Sequence, residues 1–195
     1  MLALKKFARK NNVGWASQKT DIKTDCSDNV HHKFNSRSVT KMELRLKDLE
    51  ITSPAFAALE TIPLRYTSDG ENISPALKWS KIPPETKEFA LICHDPDAPL
   101  PWGFTHWVVY NIPADITEIE EAGGDLFTAG MNSSGSKGYT GPAPPSGHGA
   151  HYYYFWLYAL DHSLKLEAGL NREKLLHAIA DSVTAQARLV GIYQR

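Results

Sequence analysis

The 195-residue chain is poor in cysteine, in long apolar runs and in net charge, and each shortage excludes a class of protein. Two cysteines, Cys26 and Cys93, cannot staple a disulfide scaffold, so a reducing compartment and a cytoplasmic location are expected. No stretch approaches the roughly 18 apolar residues of a membrane-spanning helix, so no transmembrane segment is predicted. A formal net charge of −1, with basic residues scattered and not massed, argues against a nucleic-acid partner. Helical periodicity is scarce as well.

What is present divides unevenly. Residues 1–41 carry a balance of +6 and residues 42–195 one of −7, which marks two regions. The first runs Met1-Leu2-Ala3-Leu4-Lys5-Lys6-Phe7 into Lys, Asn, Ser, Gln and Thr without strand alternation or a sustained helical stripe. It reads as a basic, poorly ordered extension, with a start at Met42 or an organelle presequence as alternatives. Residues 42–195 then form one domain, long enough to bury a real core.

Within that domain Leu44, Leu46, Leu49 and Ile51 are spaced as a strand, Ile62 to Tyr66 reads as another, and Leu77-Lys78-Trp79 alternates again. Phe89 to His94, His106 to Ile112 and His151 to Leu160 are apolar and aromatic runs, as expected of strands buried on both faces or closely covered. Asn171 can cap a helix in which Leu175, Leu176, Ile179, Val183 and Ala187 recur at helical spacing, followed by a strand over Arg188 to Tyr193. Short strands between Gly/Pro turns predict a mostly β fold, a two-sheet Greek-key β-sandwich with a C-terminal helix.

The chemistry concentrates at strand ends. His94-Asp95-Pro96-Asp97-Ala98-Pro99 follows a buried run, and its prolines hold Asp95 and Ala98 extended in a stiff turn. His106 opens the next run and His151 a later one, so loops at one end of a rigid sandwich bring Asp95, Asp97, His106 and His151 towards one pocket. His94, His148, His162 and His177 read as ordinary structural histidines. Gly138 to Tyr153, rich in glycine and proline, would let backbone N–H groups approach an anion. Gly130 to Lys137 imitates a phosphate-binding loop, but its Lys does not follow the second Gly and no helix can continue through Pro142 to Pro145. Neither a Gly-x-Ser-x-Gly elbow nor an accessible cysteine nucleophile accompanies it.

Asp95-Pro96-Asp97-Ala98-Pro99 with Thr105-His106-Trp107, and Gly138-Tyr139-Thr140-Gly141-Pro142-Ala143-Pro144-Pro145 with Gly147, His151 and Tyr153, resemble the signatures of the phosphatidylethanolamine-binding protein family, in particular its bacterial and archaeal Raf kinase inhibitor-like branch. The resemblance covers Met42 to the C-terminus. It implies a β-sandwich with a small preformed pocket for a phosphate or carboxylate anion, such as a phospholipid head group or phosphorylated ligand. By position the ligand-binding residues would be Asp95, Asp97, His106, Pro144, Pro145, His151 and Tyr153, with no cofactor and no metal. A kinase- or protease-inhibitor role and a homodimer are further implications. Two departures stand out: Ala143 where many relatives carry Cys, and Tyr152 where they carry Arg, neither taken as a main pocket position.

To reconcile carboxylates with an anion, Asp97 or Asp95 is expected to accept from His106 and favour its imidazolium, with His151 and Tyr153 as further donors. A protonated Asp donating directly is the alternative. The function expected is that of a non-enzymatic binding protein. The competing reading is a metal-assisted hydrolase with Asp95, Asp97, His106 and His151 as ligands.

Overall fold

The computed structural model describes residues 49–195. The extension 1–41, Cys26 and the strand positions Leu44 and Leu46 lie outside the described residues. Among the described residues the elements are β1 (Glu50–Thr52), β2 (Leu77–Ser80), β3 (Glu88–Asp95), β4 (Phe104–Pro113), β5 (Glu118–Ile119), β6 (Thr128–Ala129), β7 (His151–Leu160), α1 (Arg172–Ile179) and β8 (Val183–Tyr193), with two short 3-10 turns. The fold is mostly β: one sheet in the order β1-β2-β5, a second in the order β6-β4-β3-β7-β8, and a single helix near the C-terminus. Every strand pair is antiparallel.

Side-chain alternation explains the layers. In β2, Leu77 and Trp79 are buried while Lys78 and Ser80 face solvent, the pattern of a sheet wet on one side. β3 is buried along its whole length. Its Phe89, Leu91 and Cys93 meet Leu77, Trp79 and Ile119 of the smaller sheet in one core cluster. Its Ala90 and Ile92 join Leu175 and Ile179 of α1 in a second cluster on the opposite face. The larger sheet is therefore the middle layer where α1 covers it.

Three expectations are corrected. The run Ile62 to Tyr66 is not a strand: Ile62 donates to the Ile192 carbonyl along β8, but Pro63 brings no N–H and the chain turns into a 3-10 helix over Leu64–Tyr66. The helix ends at Ile179, and Val183 and Ala187 belong to β8, because Val183, Ala185, Ala187 and Leu189 alternate with less buried neighbours. Only one face of β7 is fully buried. Tyr154, Trp156 and Tyr158 lie half-buried on the other face, stacked at centroid spacings of 6.3 and 6.5 Å.

The site's location follows from register. Asp95 at the end of β3 pairs with Phe104 at the start of β4, and His94 pairs with Tyr154 near the start of β7. A shift in the β3–β4 register between Cys93 and His94 marks a bulge, a device that re-aims the following side chain. Asp95, His106 and His151 thereby share one end of the larger sheet.

Candidate functional site

A cavity of about 300 Å³ opens at that end, lined by Asp95, His106, Pro144, Pro145, His151 and Tyr153 together with Leu100, Phe104, Thr140 and Ala143 among others. Six of the seven residues indicated by the sequence thus meet in one hollow. Asp97 does not line it. Its carboxylate instead accepts the Tyr152 N–H at 2.9 Å, pinning the start of β7 to the loop after β3.

Asp95 is buried and its lone pairs are engaged. Oδ1 accepts the N–H groups of Asp97 at 2.8 Å and Ala98 at 3.1 Å, shaping the turn, while Oδ2 meets His151 Nδ1 at 2.8 Å. A carboxylate oxygen only accepts here, so His151 Nδ1 carries the hydrogen. The expected pairing of an aspartate with His106 is not formed. His106 Nδ1 donates to the Thr140 carbonyl at 2.7 Å, and the Thr140 N–H returns a bond to the His106 carbonyl at 2.9 Å. Burial holds His106 below the ordinary histidine pKa, against the pull of the Thr140 carbonyl and Asp95. The downward shift favours the neutral ring at neutral pH, in which Nε2 is an acceptor.

That Nε2 is buried without a hydrogen-bond partner, and so is the hydroxyl of Tyr153. The two rings meet edge-on at 5.1 Å, and Phe104 packs against the His106 ring at 4.7 Å. Burial raises the Tyr153 phenol far above its usual pKa, so it remains an O–H donor. His106 and Tyr153, which line a cavity with mostly apolar walls, thus each carry a buried polar atom without a partner, one acceptor and one donor.

The Gly138 to Tyr153 segment contributes differently from expectation. Gly141 does not offer its N–H to the cavity: it donates to Asn72 Oδ1 at 2.7 Å, and its carbonyl accepts from Ser68 Oγ at 2.9 Å. A Cβ on Gly141 would stand 2.6 Å from the Tyr66 carbonyl oxygen, so glycine is required for this close approach of two loops. The loop that imitates a phosphate site is structural. Asn132 accepts from the N–H groups of Ser134 and Ser136 and donates to Thr140 Oγ1, steadying the residue that orients His106. Ala143, set aside as peripheral, lines the cavity, so a Cys there would place a thiol in its wall.

Spacing gives no sign of Thr140, Asn132 or His148. His148 Nδ1 lies 2.8 Å from His151 Nε2, which completes a line from Asp95 through His151 to the surface. Among the described residues no group of three His, Cys, Asp or Glu side chains is placed to hold a metal ion. The proposed Asp/His ligand set fails geometrically, because Asp97 is outside the cavity and Asp95 is occupied by its own turn and by His151.

Two antiparallel layers, a helix on one face of the larger sheet, and a small cavity walled by an Asp-Pro-x-x-Pro turn and a Pro-Pro loop define a β-sandwich binding fold. The chain belongs to the phosphatidylethanolamine-binding protein family, whose model matches residues 52–194. A UPF0098 protein of Methanothermobacter thermautotrophicus is 49% identical over 154 residues, spanning 75% of this chain and 99% of its own length. One from Aquifex aeolicus is 42% identical, over 75% of this chain and 89% of its own. Among solved structures, a putative phosphatidylethanolamine-binding protein homolog from Chlamydia trachomatis shares 37% identity with a TM-score of 0.72, covering 76% of this chain and 98% of its own. YbcL of E. coli, described as a member of the same family, has 29% identity and a TM-score of 0.72, over 76% and 99% of the two chains.

Proposed function

We propose that this chain is a non-enzymatic binding protein whose cavity takes a small oxyanion, the phosphate or carboxylate group of a phospholipid head group or other phosphorylated ligand. The observation that carries the reading is the pair of buried, unpartnered atoms, His106 Nε2 and Tyr153 Oη. Each unmet polar group costs about 1–3 kcal/mol, so a ligand that satisfies both offsets that cost. Tyr153 donates to an anionic oxygen. His106 Nε2 accepts from a P–OH or C–OH group, or takes up a proton as the anion enters and then donates. Either route leaves the complex holding one more proton than the neutral ring and the fully ionised ligand.

The pH sign follows: affinity rises as pH falls. Leu100, Phe104 and Pro144 give the cavity apolar walls, and the lower local dielectric beside them strengthens the contact. Family membership supports binding as opposed to catalysis, and it alone supports the regulatory side of the reading, inhibition of a kinase or protease. A cytoplasmic setting belongs to the same proposal, supported by Cys93 as a free, buried thiol. Among the described residues no helix is long and apolar enough to cross a membrane.

Calorimetric titration with inorganic phosphate and phosphoethanolamine, between about pH 5 and about pH 8, tests the proposal. Affinity should climb on acidification by up to about tenfold per pH unit. Tyr153→Phe and His106→Ala should each weaken binding about tenfold or more. Binding that is flat with pH and indifferent to both variants would overturn it.

A further inference from the structure

His148 stands outside the residue set that the sequence indicates, yet it is bonded to the cavity wall. It is exposed, in the turn before β7, with its N–H donated to the Pro145 carbonyl at 3.1 Å. Its Nδ1 meets Nε2 of His151, a side chain buried in the cavity wall, and the rings lie 5.0 Å apart. Asp95 Oδ2 holds the other nitrogen of His151.

We infer that His148 is a further functional residue of this pocket: a surface proton carrier that acts through His151 to set the charge of the Asp95 wall. The inference rests on the anion-binding reading above. A contact of 2.8 Å between two imidazole nitrogens contains one hydrogen, since two N–H groups would collide and two lone pairs would repel. With His151 Nδ1–H given to Asp95, the array Asp95–His151–His148 has a net charge of about −1 when both rings are neutral, a charge that opposes an anion in the cavity. A proton added to the outer nitrogen of His148 brings the sum to zero. Moving the shared hydrogen from His148 Nδ1 to His151 Nε2 then leaves His148 neutral and makes His151 the imidazolium. Positive charge reaches the cavity wall without any proton crossing the cavity.

Other titratable or charged groups around the array are already engaged or buried. Asp97, on the loop after β3, accepts from the Tyr152 N–H. His106 on β4 is held neutral by burial, and Tyr153 on β7 is held as the phenol. Arg195, the last residue of the sequence, accepts the Gly147 N–H on a terminal main-chain oxygen and pairs its guanidinium with Asp69. His148 is thus the exposed imidazole wired to the pocket's acidic wall, a positioning residue rather than a direct ligand.

The test uses the full chain and its His148→Asn and His148→Ala variants. Asn keeps an N–H donor near the Nδ1 position but cannot titrate. With phosphate as probe, both variants should bind about five- to tenfold more weakly than wild type at mildly acidic pH, and the difference should vanish at mildly alkaline pH. In ¹⁵N-detected NMR, the His151 ring resonances should follow the titration of His148 in wild type and lose that step in His148→Asn. A loss of affinity equal at all pH values, or His151 resonances indifferent to His148, would overturn the inference. Failure of wild type to bind phosphate at any pH would instead sink the anion-binding reading, and the NMR titration would still decide the role of His148.

Discussion

Buried histidines set the chemistry of this molecule, and their neutrality has a price in acid. His94 is lowered from 6.5 to about 4, chiefly by burial and further by the charge of Arg172, and His106 is lowered by burial as well. Because the folded values lie below the unfolded ones, the unfolded chain takes up protons first as pH falls. Stability is therefore full above about pH 6.5 and is lost towards about pH 4, by up to about 3 kcal/mol for His94 alone. Denaturant titrations at stepped pH should show this slope, reduced in His94→Asn; a slope unchanged by that substitution would contradict the assignment. Strand-end position revealed Asp95, His106 and His151 in the sequence. Their pairing was not legible, because the partner of His106 is a carbonyl 34 residues away and that of His151 a carboxylate 56 residues away. Only the fold decides which of these comes within 3 Å.

At the scale of elements, local rules worked where one signal acted alone. Asn171 caps α1 as its position suggested, accepting the Lys174 N–H at 3.0 Å. Asn171→Ala should cost about 1 kcal/mol in denaturant unfolding. Where two periods competed, tertiary pairing chose: Val183 and Ala187 fit a helix, but the edge of β7 was available and they became strand. The Asp-Pro-Asp turn divides its labour. Asp95 shapes the loop and faces the cavity, while Asp97 fastens β7 to it. Asp97→Ala should therefore speed hydrogen exchange at the Tyr152 amide and leave phosphate affinity within about twofold. An affinity lost as severely as in Tyr153→Phe would place Asp97 in the site after all.

For the whole molecule, the larger sheet serves as a rigid floor whose one end is closed by two loops, the β3–β4 turn and the segment before β7. Its strands β3 and β4 carry core on both faces, so the cavity rests on the least deformable part of the fold. Alternation and turn residues made the sandwich legible, and the paired motifs made the family legible. The third layer was less evident, since nothing in the apolar runs said that α1 would cover only part of the sheet and leave Tyr154 and Trp156 half-buried. The domain is proposed to begin at Met42, and a chain started there should keep its thermal midpoint within about 2 °C and its phosphate affinity unchanged.

Whether a small oxyanion bridges the two orphaned polar atoms of His106 and Tyr153 is decided by a crystal structure of the full chain grown with phosphate at mildly acidic pH. A phosphate is expected in the cavity within hydrogen-bond distance of both His106 Nε2 and Tyr153 Oη. A cavity holding only water while phosphate binds elsewhere on the surface, or a phosphate that touches neither atom, would contradict it.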